Sequence, residues 1–444
     1  MTQAAVGEVA VSGERTSPSL GITTLTSSWA RTAVWLAVLA FAVRMAFMLG
    51  LQTYLFDRID DVSRFNETTY IGWSVANGHG FSSPFGPAYT GPTAWIPPVY
   101  PYFCAVVFHY FRGMDDRAWL IIFTLQCLFS SLTVIPMLGI AELTVGRRAG
   151  FWASAVWAFF PWFGKWAVTW VYETSLSALL VALLFWYALR LERSSKLGTW
   201  IGLGALWGFA LLLNPALLTL LLMAYAWVIY IRWRQDQQWL RLALFSLCTC
   251  VIVLSPWLVR NRSVFGHWIF VRSNFGAEFA LGNHHLSLGR GQGPHPSTSA
   301  AELTQYQQMG EYAYVREKNQ EGLAFVHQYP GEFISLTAKR VLYFWDGSAG
   351  AYRPPVAWYW CLWSFGPLSL LVLPAFWVAY HKKVHAFWLF LAAFLIYPAP
   401  YYLVFSTLRY RHVLEPFLLL LVAYAALEAL STFQLRGAAD RLTS

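Results

Sequence analysis

"PPVYPYFCAVVFHYF", residues 97–111, is the stretch on which the organisation of this chain turns. It is apolar enough to enter a membrane, but it is shorter than the roughly 20 residues a helical span needs, and it opens on Pro-Pro. If it crossed, every basic cluster that follows would move to the opposite side of the membrane. If it lies at the interface and the N-terminus is inside, the pairs and triplets Arg147/Arg148, Arg190/Arg193/Lys196, Arg232/Arg234/Arg241, Lys382/Lys383 and Arg436/Arg441 all become cytoplasmic. The positive-inside rule selects that arrangement.

Outward from this segment the composition agrees. The chain has 444 residues, of which 57% are hydrophobic, 18% aromatic and only 12% charged. Apolar runs recur at 29–54, 118–143, 149–168, 173–191, 198–213, 215–231, 240–258, 357–380, 385–406 and 411–432. Together they predict an all-α polytopic membrane protein of about ten spans with both termini inside. The formal charge of +9 is spread over short clusters between these runs rather than gathered on one basic face. That pattern sets topology and argues against a nucleic-acid partner.

The expected layout is a polar cytosolic tail at 1–28, a transmembrane module at 29–258 that includes an outer loop at 55–117, a large outer loop at 259–356, C-terminal spans at 357–432 and a tail at 433–444. The start of the chain has no apolar h-region or cleavage site, so no removable signal is expected there. None of the five cysteines suggests a disulfide framework.

Most of the unusual polar residues fall in the two outer loops. In the first, Asp57, Asp60, Asp61 and Glu67 precede "TTYIGWSVANGHG", in which apolar residues recur at helical spacing and "NGHG" supplies a glycine-rich stop. A short surface helix is predicted, with Glu67 in its first turn. Glu67 is then either a catalytic base or a charge complementing the helix dipole, the latter worth about 0.3–1 kcal/mol. Glu173 in "TWVYETSLSALL" opens an apolar span at its predicted outer end, and the same two readings apply. Two carboxylates at one mouth suit general-base chemistry.

Arginines on the same face depart from the positive-inside trend. "SPWLVRNRSVFGHWIFVRSNFGAEFALGNHH" carries Arg260, Arg262 and Arg272, and "FSTLRYRHVLEPF" carries Arg409, Tyr410 and Arg411. Guanidinium forks match phosphate oxygens bidentately; the competing reading is snorkelling toward lipid headgroups. His284, His285 and His295 have no cysteine or carboxylate partner at ligand spacing, so they do not define a zinc site. Paired carboxylates could hold a divalent cation, although no ligand set is evident. No P-loop, dinucleotide fingerprint or nucleophile elbow occurs.

Taken in order, "TYIGWSVANGHGF", "TGPTAWIPPVYPYF", "FPWFGKWAVTWVYETSLSALL", "SPWLVRNRSVFG" and "FSTLRYRHVLEPF" resemble the GT-C polytopic glycosyltransferases, in particular the family 39 and aminoarabinose-transferase-like branch that includes protein O-mannosyltransferases. The resemblance implies a GT-C fold, with juxtamembrane helices in the first outer loop and a large outer loop before the last three spans. It also implies an inner-membrane enzyme working on the periplasmic side, a sugar donor linked to polyprenyl phosphate, transfer with inversion, and a glycan, lipid or protein acceptor. The family often has Asp-Glu where this chain has Asn66-Glu67, so the role of base passes to Glu67, with Asp60 or Asp61 as substitutes and Glu173 as second acid. Arg260, Arg409 and Arg411 resemble donor-phosphate ligands, Arg272 and Tyr410 stand beside them, and His79 is a substrate-contact candidate with no assigned step. Two other readings compete: a secondary transporter, for which Asn214-Pro215 is the one helix break, and an outer-face ligase or polymerase using a pyrophosphate-linked donor.

Overall fold

The computed structural model describes residues 27–55, 64–289, 291, 293–346 and 356–443. The tail expected at 1–28 falls almost entirely outside the described residues, and so do Asp57, Asp60 and Asp61. Among the described residues there is no β-strand, only an isolated antiparallel bridge between Ser82 and Pro92.

Among the described residues, six helices are long and apolar enough to cross a membrane: Ser28–Leu51, Asp116–Leu143, Thr174–Leu191, Pro215–Arg234, Leu240–Phe265 and Leu408–Gln434. Shorter apolar helices include Leu197–Leu213, Leu368–His381 and Phe387–Leu403. The run predicted at 149–168 is split into Arg147–Phe159 and Pro161–Thr169. The last helix, Glu415–Thr443, continues beyond 432, where a tail was expected.

The split at Phe160-Pro161 has a local cause and a buried remedy. Pro161 has no N–H to donate to the carbonyl of Trp157, four residues earlier. Arg44, 2% exposed, reaches across from the first helix to make good the loss. Its Nη2 donates to the Trp157 carbonyl at 3.0 Å, its Nη1 to that of Ala158 at 3.2 Å, and its Nε to Ser130 Oγ at 2.9 Å. An arginine inside an apolar bundle is tolerated because carbonyl dipoles at a helix end take up its donors.

Glycine sets the close approach of one helix pair. A Cβ on Gly204 would stand 2.0 Å from the Ser246 carbonyl oxygen, and one on Gly208 2.6 Å from Val253 Cβ. Helices Leu197–Leu213 and Leu240–Phe265 therefore meet backbone to backbone through a small-xxx-small face.

Two segments outside the long spans fold against this bundle. In the first loop, helix Glu67–Ala76 packs on Val99–Phe111, the segment read as interfacial. The contact is tight because Gly72 would place a Cβ 2.9 Å from Cys104 Cβ. The large loop forms helices Phe275–Gly282, Ala300–Met309, Glu311–Gln328 and Pro330–Asp346.

The two loops join at Glu311, which is 4% exposed. Its carboxylate accepts from the Ala94 amide at 2.7 Å, Ser273 Oγ at 2.7 Å, the Tyr306 hydroxyl at 2.9 Å and the Thr93 hydroxyl. Arg260 reinforces the same corner, donating to the Thr93 carbonyl at 2.7 Å and the Phe81 carbonyl at 3.0 Å. Burial raises the Glu311 carboxyl above the usual carboxylate range, against the opposing pull of its four donors.

Glu311→Ala should strand these buried donors and lower stability by about 2–5 kcal/mol, read as a lower thermal-unfolding midpoint in detergent. Gly204→Val should cost roughly 1–3 kcal/mol or more by forcing the two helices apart. The same assay checks it, and an unchanged midpoint would contradict the close packing.

Candidate active site

A cavity of about 500 Å³ lies where several helix ends converge. Helices Glu67–Ala76 and Thr174–Leu191 begin there, Leu197–Leu213 ends there, and the 3-10 segment Leu408–Leu414 and helix Phe275–Gly282 complete the wall. Glu67, Glu173, Arg272, Arg409 and Tyr410, all singled out in the sequence, line it.

The chain at Glu67 separates capping from chemistry. Asn66 is the N-cap, in extended backbone, and its Oδ1 accepts from the Thr68 amide at 3.0 Å and the Thr69 amide at 3.4 Å. The Thr69 hydroxyl closes the box by accepting from the Asn66 amide at 3.1 Å. The other side of the Asn66 amide donates from Nδ2 to the Val171 carbonyl at 3.3 Å. Glu67 is thus relieved of capping, and its half-buried carboxylate faces the cavity with no protein hydrogen bond found among the described residues.

Glu173 arrives by a parallel route. It stands at the N-cap of Thr174–Leu191, yet its side chain makes no cap bond. The turn before it is fixed by Gln126, 1% exposed, whose Nε2 donates to the Trp170 carbonyl at 3.0 Å while its Oε1 accepts from the Tyr172 amide at 3.2 Å. Asn66 and Gln126 therefore hold one turn from two directions and bring Glu67 and Glu173 to a common space.

The cations are positioned by stacking and by loop pairing. The Arg409 guanidinium carbon lies 3.8 Å from the centre of the Tyr172 ring and 5.3 Å from that of Tyr410, and its Nη1 is buried with no protein partner found among the described residues. Arg272 is held through its neighbour Ser273, whose amide donates to the Ala94 carbonyl at 2.8 Å. Two carboxylates, Glu67 and Glu173, and two guanidiniums, Arg272 and Arg409, thus line one cavity.

Not every predicted residue comes to this place. Arg260 is occupied with the carbonyls of the loop junction, so it does not line the cavity. Arg411, fully buried, donates to the Trp345 carbonyl at 3.1 Å and to Ser369 Oγ, and stands 3.5 Å from Glu415. Glu415 also accepts from Trp162 at 3.2 Å and pairs with His412 at 2.6 Å, so this polar cluster is a packing device between helices. His79 sits on an exposed glycine-flanked turn away from the cavity. Asp60 and Asp61 lie outside the described residues.

Conversely, the cavity contains residues the sequence reading passed over, Glu278, Asn274, Tyr172 and Tyr401, and His295, which was weighed there only as a zinc ligand. The Asn214-Pro215 break also proves to be part of this wall, with Asn214 Oδ1 accepting from the Ala216 amide at 3.1 Å. Burial raises the Glu278 carboxyl above its ordinary range; the neighbouring Glu67 charge adds to the rise, and His295, Arg272 and Arg409 oppose it. The one advance signal for Glu278 was its i,i+4 spacing from Asn274. Among the described residues no group of three or more His, Cys, Asp or Glu side chains is placed to hold a metal ion.

The fold is that of the GT-C membrane glycosyltransferases. Residues 96–259 match the family model described as dolichyl-phosphate-mannose-protein mannosyltransferase. In structure, 94% of the chain superposes on 52% of the archaeal oligosaccharyltransferase AglB from Archaeoglobus fulgidus, in complex with an inhibitory peptide and a dolichol-phosphate, with TM-score 0.50 and 11% identity. ArnT from Cupriavidus metallidurans, bound to undecaprenyl phosphate, aligns over 90% of this chain and 78% of its own length, with TM-score 0.39 and 12% identity. The chain spans about half the length of AglB. No curated protein sequence matches it.

The Asn66 geometry yields a direct test. Asn66→Asp keeps a good N-cap but replaces the donor to Val171 with a carboxylate oxygen facing a carbonyl, and it should cost about 1–3 kcal/mol in thermal unfolding. Asn66→Asp with wild-type stability would show that the bridge to the 171–173 turn is dispensable.

Proposed function

We propose that this chain is an inverting glycosyltransferase that moves a sugar from a polyprenyl-phosphate donor to an acceptor hydroxyl at the outer face of the cytoplasmic membrane. The observation that carries the proposal is Arg409. A buried guanidinium, stacked on Tyr172 and with Nη1 unpartnered, shares a cavity with uncapped carboxylates and sits at the end of an apolar bundle. A lipid phosphate is the anion whose chemistry fits such a place, because its isoprenoid stays in the bilayer while its headgroup meets the guanidinium. Relatives whose structures hold dolichol-phosphate or undecaprenyl phosphate support the same choice.

In the reaction, Glu67 accepts the proton of the acceptor hydroxyl as its oxygen attacks the anomeric carbon. The bond from that carbon to the phosphate oxygen breaks, and its electron pair leaves with the phosphate. Arg409 and Arg272 stabilise the growing phosphate charge, so the cations act where negative charge develops. Attack opposite to the departing phosphate inverts the anomeric centre. Glu173 lines the same cavity as Arg409 and is the second candidate base.

The test is transfer or donor hydrolysis by the purified protein with a panel of undecaprenyl- and dolichyl-phosphate sugars and membrane acceptors. Glu67→Gln should lower kcat by about 10²- to 10⁴-fold while leaving donor binding intact. Arg409→Ala should weaken binding of the polyprenyl phosphate itself. Inertness toward the whole panel, together with ion-coupled uptake in vesicles, would replace this reading with a transporter.

A further inference from the structure

We propose that Glu278 is a substrate-recognition carboxylate: one of its oxygens is fixed by Asn274, and the other accepts a hydrogen bond from a sugar hydroxyl in the cavity. The inference rests on the transferase reading and extends it to a residue supplied by the large loop.

Helix Phe275–Gly282 carries Glu278 one turn after Asn274, and Asn274 Nδ2 donates to Glu278 Oε1 at 2.9 Å. That bond fixes the carboxylate's rotation and leaves Oε2 for a ligand. Asn274 is 1% exposed, lines the same cavity, and its Oδ1 has no hydrogen-bond partner found among the described residues. Helix and cavity are registered through Ser273, which bonds the Ala94 carbonyl with its amide and Glu311 with its hydroxyl. Glu278 is therefore held on a supported element, as a recognition group needs to be.

The placement also divides the labour. Glu67 comes from the first loop and Glu173 from the start of a long apolar helix, whereas Glu278 comes from the large loop. An ionised carboxylate has only acceptors, so its complement is a donor, and the donor a glycosyl substrate carries in number is the hydroxyl. Helix Phe275–Gly282 is in turn constrained by its partner helix: a Cβ on Gly276 would lie 2.5 Å from the Val315 carbonyl oxygen, which leaves it little room to slide.

The experiment takes a donor and acceptor pair that wild-type protein turns over, with monodeoxy analogues of each, and compares wild type, Glu278→Gln and Glu278→Ala at matched thermal stability. We expect kcat/KM to fall about 10- to 100-fold in Glu278→Ala, chiefly through KM. One deoxy analogue should be impaired with wild type yet nearly equal to its parent with Glu278→Ala. The impaired analogue identifies whether the hydroxyl belongs to the donor sugar or to the acceptor. Glu278→Gln retains an acceptor oxygen for Asn274, so it separates loss of recognition from loss of fold. Unchanged kinetics in both variants, or deoxy penalties equal in wild type and variant, would overturn this inference alone. A wild-type protein inert toward every polyprenyl-phosphate sugar would remove the transferase reading and this inference with it.

Discussion

The site depends on one buried carboxylate. Glu311 draws the Thr93 hydroxyl, the Ala94 amide, the Ser273 hydroxyl and the Tyr306 phenol onto two oxygens. Ala94 and Ser273 flank the cavity residues Ile96, Arg272 and Asn274, so the carboxylate fixes the distance between the first loop and the large loop. Taking such a charge out of water is costly unless every lone pair is used, and here four donors use them. The arrangement suits location more than stabilisation: removing the charge would leave four donors without a common target.

Arginine has two distinct uses in this molecule. Arg44, Arg260, Arg340 and Arg411 each spend donors on backbone carbonyls where helices end or loops turn. Arg340, for example, reaches the carbonyls of Tyr402 at 3.1 Å and Leu403 at 3.0 Å. The forked guanidinium can satisfy several carbonyls at once, which makes it an internal cap for broken helices in an apolar setting. Arg272 and Arg409 differ in that their charges border open space. The division follows from where elements stop, which a list of arginines does not contain.

That difference accounts for what was legible in the sequence. The helical runs were plain, because about thirty ångströms of hydrocarbon imposes a length on them, and the charges around "PPVYPYFCAVVFHYF" were the ground for reading it as interfacial. Glu67, Glu173, Arg272 and Arg409 could be singled out because a charge beside an apolar run needs a reason. Arg260 and Arg411 looked the same in sequence as Arg409, and only packing shows them turned to backbone carbonyls away from the cavity. Glu278 escaped because one acid in "NFGAEFALG" reads as the wet edge of a short helix. Its neighbourhood is created by residues far away in the chain. Asn66 was the reverse case: where the resembled family has an acid, the amide looked like a defect, and the structure gives it a donor's task that no carboxylate could perform.

The partners at the Thr93–Glu311 contact are 218 residues apart in the chain. During synthesis the first loop therefore exists for roughly half of the chain's elongation without the group that closes it, since a contact of such span forms only after the intervening helices have been made. The cavity is completed late, by a segment made after seven of the ten apolar runs. A partly made chain, lacking Arg272, Glu278 and Arg409, therefore presents no finished pocket to a ligand.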